Sequence, residues 1–308
     1  MTSLIQRMQV DHPNQLDGTS GWSVDFRQIE DGLLSTTLAV RPTEKLTLLG
    51  IKMDKAVHQR GCSPAQCVTF GIPSVPGIRS WNGTDLDCAA ILSFGTAQEY
   101  DSISDALHEG LAATVAVSLL EQVSNETQLP FDHFSGAMVQ ASVGSQAEAV
   151  QQLSAYGKCL LDHEQMPFRK AEQKDFLINL LAATSCTNKF ADRSDNSKRR
   201  LAVLRAIEFI EHHLQDDMSI SDVCLEVKTP WRTLDRGFKE YFGFGPNMYR
   251  KCLRLNRVRI DILHDQEANT ISEIAGKWGF WHMGQFAQDY RKLFNEKPSQ
   301  TRERVVNN

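Results

Sequence analysis

The sequence has no long apolar run of the kind that crosses a membrane. No stretch reaches the roughly 18 uninterrupted apolar residues that a spanning helix requires, and the N-terminal residues contain no apolar signal core. These absences argue against a membrane partner and predict a cytoplasmic protein.

Cysteine is also scarce, with 7 residues scattered over a chain of 308. An odd and dispersed set fits reduced thiols in a cytosol. Cys62, Cys67 and Cys88 come nearest to a metal-ligand set, but neither a CxxC pair nor clustered histidines accompany them. We interpret them as buried or inert thiols, and we predict no metal and no cofactor.

The signatures of common enzyme classes are missing as well. The chain has no G-x-S-x-G elbow, no Walker loop and no GxGxxG turn. The sequence therefore predicts no catalytic residues and a protein that is not an enzyme. A chain of 308 residues with 41% hydrophobic residues is long enough for two globular domains.

Charge is distributed unevenly along the chain, whose formal net charge is −5. Residues 1–188 hold 12 Lys and Arg against 21 Asp and Glu, a net of −9, whereas residues 189–308 hold 21 against 17, a net of +4. A basic excess is what neutralisation of nucleic-acid phosphates requires. Its position matters more than its size, because the basic part also carries a duplicated motif.

The basic part contains the same helical pattern twice. Ser219 with Asp222, and Thr270 with Glu273, form capping boxes, in which a hydroxyl and a carboxylate satisfy free backbone donors at a helix start. A tight turn and a second helix follow each short helix, so each copy predicts a helix-turn-helix motif.

The turns of the two copies differ in sequence. In the first copy Thr229 is predicted as the N-cap and Pro230 as the first residue of the second helix, where a proline does least harm. In the second copy Gly279 is predicted to be a left-handed helix stop. Leu234 and Phe238 are four residues apart and so face the core.

The outward faces of the two second helices are the candidate DNA-contacting surfaces. Arginine on such a face can bond base edges or phosphates, glutamine can bond adenine, and methionine can touch a thymine methyl group. The alternative is a solvated charged face, and for tryptophan simple packing. The predicted DNA-binding residues, phosphate candidates included, are Trp231, Arg232, Asp235, Arg236, Lys239, Arg250, Lys251, His282, Met283, Gly284, Ala287, Gln288 and Arg291.

One continuous helix is predicted between the copies, from Pro246 to His264. At about 1.5 Å per residue it is roughly 28 Å long, close to the roughly 34 Å of one DNA turn, so it can hold two helices in successive major grooves. Its predicted basic face consists of Arg250, Lys251, Arg254, Arg257 and Arg259.

The acidic part has the pattern of a β-domain followed by helices. Short strand-like segments separated by turn residues occupy about residues 18–118 and predict a small barrel or sandwich. Two amphipathic helices are predicted, over about 146–163 and 169–184, and the polar run 187–197 is predicted to be a linker. The predicted domains are therefore 1–186 and 198–308, in an α+β fold with an all-α C-terminal part.

Residues 198–304 resemble the DNA-binding domain of the AraC/XylS family of transcription regulators, in which a long helix joins two helix-turn-helix units. The run 278–286 (WGFWHMGQF), with 244–247 and 254–256, is similar to the ethanolamine-utilisation regulator branch. Lys228, Pro230 and Gly237 depart from the family pattern. Gly237 costs a helix about 1 kcal/mol relative to Ala, which predicts a looser first unit.

The resemblance also implies a cupin-like N-terminal barrel that binds an effector, and in this branch an amine or amino alcohol. An ammonium group in a pocket needs a paired carboxylate, for which Glu30 and Asp85 are candidates. The alternative for the aromatic residues is that they fill the barrel core. The predicted effector-binding residues are Trp22, Phe26, Glu30, Phe70, Trp81 and Asp85.

The helix predicted from Gln146 to His163 carries an apolar stripe with two interpretations. It packs against the barrel, or it forms a self-complementary dimer seam, since bacterial operators are often paired half-sites. The candidate dimerisation residues are Val150, Leu153, Tyr156 and Leu160.

The sequence thus predicts a bacterial, cytoplasmic, ligand-responsive transcription regulator that binds duplex DNA, in this interpretation an activator. Its expected partners are double-stranded DNA, a small-molecule effector, a second copy of the chain and, for an activator, RNA polymerase. Two alternatives stay open: a cysteine methyl-acceptor DNA-repair regulator, and an architectural DNA-binding protein without an effector.

Overall fold

The parts of the chain that the computed structural model describes are residues 5–10, 22–73, 77–86, 90–131, 138–140, 145–162, 167–185, 188–189, 197–265 and 269–306. The chain divides into two compact units. The first consists of Met1–Phe26 and Ser35–Asp192, and the second of Arg27–Leu34 and Arg193–Asn308. Most of the predicted linker, 187–197, lies outside the described residues.

The strands form two antiparallel sheets. In chain order the strands are β1 (Gln6–Val10), β2 (Ser23–Gln28), β3 (Thr36–Pro42), β4 (Leu46–Met53), β5 (Val57–Cys62), β6 (Cys67–Pro73), β7 (Ile78–Trp81), β8 (Thr84–Asp85), β9 (Ala90–Phe94), β10 (Glu99–Ser104), β11 (His108–Ala116), β12 (Met138–Gln140) and β13 (Asn188–Lys189). The larger sheet has the order β1-β3-β4-β11-β6-β9-β12-β13 and the smaller sheet the order β2-β5-β10-β7-β8.

The two sheets do not join into one closed barrel within the described residues, which corrects the barrel prediction. Successive side chains of a strand point to opposite faces, and the larger sheet uses both faces. On β11, Leu111, Ala113 and Val115 are buried in the main apolar cluster. The alternate residues Gly110, Ala112 and Thr114 line a cavity.

Three helices cover the face of the larger sheet that carries the main apolar cluster: α1 (Val117–Thr127), α2 (Ser145–Asp162) and α3 (Lys170–Ser185). Helix α1 was not predicted, whereas α2 and α3 lie within one residue of their predicted bounds. Val150, Leu153 and Leu160 are buried in the core of the first unit, and Tyr156 packs against it. These four dimer candidates therefore serve the unit's own core, which is the packing interpretation.

The second unit is helical. Its helices are α4 (Ser197–His212), α5 (Ile220–Glu226), α6 (Trp231–Phe242), α7 (Pro246–His264), α8 (Ile271–Lys277), α9 (Met283–Phe294) and α10 (Pro298–Val306). The pairs α5–α6 and α8–α9 are the two predicted helix-turn-helix motifs. Helix α7 has its predicted bounds and length, so the predicted connection between the motifs is confirmed.

Both capping boxes are present. Ser219 caps α5 with Asp222, and Thr270 caps α8 with Glu273. Hydrogen bonds from Ser219 hold the pKa of the Asp222 carboxyl below its usual value. The predicted left-handed stop at Gly279 is confirmed, with φ of 78°.

The turn of the first motif differs from its prediction by one residue. Pro230 is the N-cap of α6, and the helix itself begins at Trp231, so Pro230 is not its first residue and Thr229 is not its cap. Lys228 has φ of 50°. A lysine thus adopts the left-handed backbone that Gly279 adopts in the second motif, at the usual cost for a residue with a side chain.

Gly237 lies where α6 crosses α4. A Cβ atom placed on it would lie 2.6 Å from Val203 Cγ2 and 3.2 Å from Arg199 Cγ. The missing side chain lets the two helices approach closely, and the looser first motif stays a prediction.

We expect Gly237→Ala to destabilise the protein by about 1 kcal/mol or more, because overpacking costs about 1–3 kcal/mol against the roughly 1 kcal/mol of helix propensity gained. Gly284→Ala is the matched control, since a Cβ atom there would have nothing within 4 Å. We expect the control to be neutral or stabilising in urea unfolding. Equal effects of the two variants would contradict the close crossing.

Arg259 does not lie on the exposed basic face that was predicted for α7, because its side chain is buried. Its side chain is 2% exposed and pairs with Glu296 at 3.0 Å. It also lies over the Phe294 ring, 4.7 Å from the centroid. The carboxylate of Glu296 lies 3.0 Å from Arg304 as well. Arg259 therefore belongs to a buried ionic network that joins α7, α9 and α10.

The segment Arg27–Leu34 is the unexpected part of the second unit, because the sequence pattern predicts a barrel over 18–118. Asn256 on α7 accepts from the Gln28 backbone N–H and donates to the Gln28 carbonyl, both at 3.0 Å. The Gln28 side-chain amide and the Gly32 N–H donate to the Leu293 carbonyl at 2.6 and 3.0 Å. That carbonyl is one of the last four of α9, which have no partner inside the helix.

Candidate functional site

Helix α6 presents a polar outer face. Trp231, Arg232, Arg236 and Lys239 are exposed, and Asp235 is half-buried. Lys239 pairs with Asp235 at 2.7 Å, and Arg236 donates to Glu240 at 2.8 Å. Within the described residues, the Arg232 side chain has no hydrogen-bond or ion-pair partner. Arg232 is therefore the cation on this face that is available to a ligand.

Helix α9 presents the equivalent face of the second motif. His282, Gly284, Ala287, Gln288 and Arg291 are exposed. The side chains of Gln288 and Arg291 have no partner among the residues that the structure covers. Met283 differs, because it is half-buried and packs against the core of the second motif.

The two phosphate candidates on α7 are used within the unit. Arg250 donates to the Met218 carbonyl, and burial lowers the pKa of its guanidinium. Lys251 pairs with Asp289 at 3.2 Å. A phosphate contact by either residue would have to share or replace these bonds, so their DNA role stays a prediction.

Two tryptophans are more exposed than a packing role predicts. Trp231 is 44% and Trp281 79% exposed. Trp231 is the first residue of α6, and Trp281 lies two residues before α9 begins. Each motif therefore has a large flat side chain at the start of its second helix. Each ring adds apolar surface beside the outer face of its motif.

A second candidate site is a cavity of about 290 Å³ between the inner faces of the two sheets of the first unit. Alternation along the strands explains its lining. On β4, Leu49 and Ile51 line it, while Leu46 and Leu48 lie in the main core. Gly71, Gly110 and Ala112 also line it, and their small size leaves space that larger side chains would fill.

Four aromatic rings form one wall of this cavity. Trp81 stacks on Tyr100 with centroids 5.6 Å apart, and Phe94 meets Trp81 edge-on at 4.4 Å. Trp22 meets Phe94 edge-on at 5.3 Å, and its Nε1 donates to Thr114 at 3.4 Å. Tyr100 was not predicted because strand β10 was missed, and Phe94, which ends β9, was not among the predicted residues.

The predicted effector residues fall into two groups. Trp22, Phe26 and Trp81 line the cavity. Phe70 does not, because alternation on β6 places it in the main core while Thr69 and Gly71 face the cavity. Glu30 belongs to the second unit, and the side chain of Asp85 lies outside what the structure describes.

The lining carries almost no charge. Among its residues in the described part of the chain, none is Asp, Glu, Lys or Arg, and the one ionisable nitrogen base is His108. Burial lowers the pKa of the His108 imidazole to about 4, although the Gly77 carbonyl and the nearby acids Glu109 and Asp105 raise it. His108 is therefore neutral at pH 7.

We expect this histidine to make stability depend on pH. Its pKa is about 4 when folded and about 6.5 when unfolded, so below pH 6.5 the unfolded chain binds a proton that the folded chain does not. The protein should lose about 2 kcal/mol between pH 7 and pH 5 from this residue. Urea unfolding of wild type and His108→Gln at both pH values measures it, and equal losses in the two proteins would contradict it.

The cysteines that the structure describes form no disulfide. Cys62, Cys67, Cys159, Cys224 and Cys252 are free, and burial raises the pKa of Cys67, Cys224 and Cys252, the last to about 12. No group of three metal-ligating side chains occurs in the described part. None of its helices is long and apolar enough to span a membrane.

Comparison with known proteins places the duplicated motif in a family. Residues 224–304 match the model of a helix-turn-helix domain family. Over 96 residues the chain is 33% identical to the probable thc operon regulatory protein of Rhodococcus erythropolis, covering 31% of this chain and 29% of that protein. Over 108 residues it is 36% identical to the XylDLEGF operon transcriptional activator of Pseudomonas putida, covering 34% and 33%.

The chain thus spans about a third of the length of these curated relatives. A solved structure of a transcriptional regulator with an AraC-type DNA-binding domain, from Chromobacterium violaceum, is 30% identical. It covers 36% of this chain and 97% of that one, with a TM-score of 0.33. The C-terminal part of the chain is therefore a helix-turn-helix domain similar to those of proteins named as operon regulators.

Proposed function

We propose that the protein is a sequence-specific DNA-binding transcription regulator whose activity responds to a small molecule bound in the cavity of the first unit. DNA binding is proposed because two helix-turn-helix motifs are joined by the 19-residue helix α7. The relatives named as operon regulators support the same assignment. The cavity supports the ligand half.

In this proposal α6 and α9 enter neighbouring major grooves. Arg232 and Gln288 are the base-reading side chains, because each is exposed and has no partner among the described residues. Arg291 and Lys239 contact phosphates, which set affinity without reading sequence. The proposal also includes activation of transcription, contact with RNA polymerase and a dimer. It does not include an amine effector, because the described lining offers no carboxylate to pair with an ammonium group.

The test of the DNA half begins with selection of preferred duplexes from a random library. We expect Arg232→Ala and Gln288→Ala each to cost about 1–3 kcal/mol on the selected duplex and to relax preference at separate positions one helical turn apart. Fluorescence anisotropy at fixed salt measures the affinities. Arg205→Ala on α4, also exposed, is the matched control.

Two results would count against this assignment. If each variant lost the same free energy on random DNA as on the selected duplex, Arg232 and Gln288 would not read bases. If the wild-type chain protected only one groove in footprinting, the two motifs would not act together on one duplex.

A further inference from the structure

We propose that the cavity of the first unit takes an uncharged, ring-containing molecule with a hydrogen-bond acceptor, such as an aryl ketone, and rejects ammonium and carboxylate ligands of the same size. This inference rests on the proposed function, since it names the ligand class of the same cavity. It concerns the chemistry of the lining residues, and it is tested without reference to any DNA sequence.

Size is the first argument. An apolar cavity of about 150 Å³ is large enough for benzene, so a cavity of about 290 Å³ has room for one or two rings with a substituent. Its walls are flat aromatic and branched aliphatic side chains, against which rings pack well. A small, highly hydroxylated ligand would leave most of this wall without a matching surface.

Charge is the second argument. A buried charge without a partner is strongly disfavoured, and the described lining offers neither a carboxylate for an ammonium group nor a Lys or Arg for a carboxylate. The gain from cation–π contact with the four-ring wall is smaller than the loss of hydration of a buried ammonium group without a paired carboxylate, and it does not offset that loss.

The Trp81 indole N–H is a hydrogen-bond donor without a partner among the described residues. Trp81 is 2% exposed and lines the cavity. A buried donor without a partner is uncommon and costs free energy. By contrast the Trp22 Nε1 already donates to Thr114. A shift of the Trp81 ring on ligand binding would bring this closed-off N–H to a ligand acceptor, which selects a carbonyl or ether over a plain hydrocarbon.

The test uses the full chain and ligands that share one ring but differ in charge: acetophenone and 2-acetylnaphthalene, benzylamine and benzoate. Isothermal calorimetry at pH 7.5 measures their affinities. We expect at least one ketone to bind at least about 100-fold more tightly than either charged compound. Tighter binding of the amine or the acid, or no binding of either ketone, would overturn the proposal.

Two variants locate the site and the donor. Trp81→Phe keeps an aromatic ring and removes the N–H, so it should weaken ketone binding about three- to ten-fold and leave ethylbenzene binding within about two-fold. A purely structural role of Trp81 would weaken both ligands equally and would contradict the donor assignment. Ala112→Leu fills the cavity and should weaken both, and unchanged affinity would place the ligand elsewhere.

The same protein preparations are assayed for DNA binding, which separates the two proposals. A chain that binds the selected duplex but no ketone overturns the ligand class and leaves the DNA-binding function standing. A chain that binds the ketone but no duplex overturns the DNA-binding function and leaves the ligand class standing.

Discussion

Glu296→Ala is expected to destabilise the second unit by about 3–5 kcal/mol, because it leaves buried Arg259 without its carboxylate. The pair is well excluded from water, with side chains 2% and 5% exposed. Thr301 adds to the cost, since its hydroxyl lies 2.8 Å from both Glu296 Oε1 and the Tyr290 hydroxyl. Removal of one carboxylate therefore disturbs the contacts among α7, α9 and α10.

Urea unfolding of the full chain, followed by helical circular dichroism, measures this effect. Glu240→Ala is the matched control. Glu240 also accepts from two arginines, Arg199 and Arg236, but it is 42% exposed, so its loss should cost less than about 1 kcal/mol. If Glu296→Ala does not fold, Thr301→Val still tests the network with an expected loss of about 1–2 kcal/mol. Losses no larger than that of the Glu240 control would contradict it.

Asn256→Ala is expected to cost about 2–5 kcal/mol, because it leaves the N–H and the carbonyl of Gln28 without partners in a buried place. Each unsatisfied buried group costs about 1–3 kcal/mol. The loss should be local at first: amide hydrogen exchange should accelerate in Arg27–Leu34 and at the end of α9, where Gln28 and Gly32 bond the Leu293 carbonyl.

Hydrogen exchange with mass spectrometry on the full chain checks this expectation peptide by peptide. Gln28→Ala is the comparison variant, since it removes the side-chain amide but keeps both backbone bonds to Asn256, and it should open the segment less. Unchanged protection of residues 27–34 in Asn256→Ala would show that this asparagine does not hold the segment.

The helical unit was largely predictable because its signals are local. Capping boxes, a left-handed glycine and an unbroken helical pattern predicted α5, α8 and the bounds of α7. Where local preference and tertiary packing act on the same residue, the sequence shows only the local preference. Gly237 reads as a weak point in a helix, yet its contact with Val203 makes it the residue that the crossing requires.

The β-rich unit was less predictable because its strands depend on distant partners. Strand β10 has the sequence EYDSIS, whose polar residues hide the alternation of Tyr100 and Ser102 toward the cavity. The orphan donor of Trp81 cannot be recognised without coordinates, since it is defined by the absence of a neighbour. The assignment of Arg27–Leu34 to the second unit depends on contacts more than 200 residues apart.

Because Arg27–Leu34 belongs to the second unit, the chain passes between the units three times, after Phe26, after Leu34 and after Asp192. A protease that cut only within 187–197 would leave residues 27–34 on the N-terminal fragment, so the two fragments would be joined by the noncovalent bonds of that segment to Asn256 and Leu293 rather than covalently. A truncated fragment that starts at residue 193 would lack the strand end that bonds Asn256 and Leu293. Fragment studies of this protein therefore need residues 27–34 supplied with the C-terminal piece.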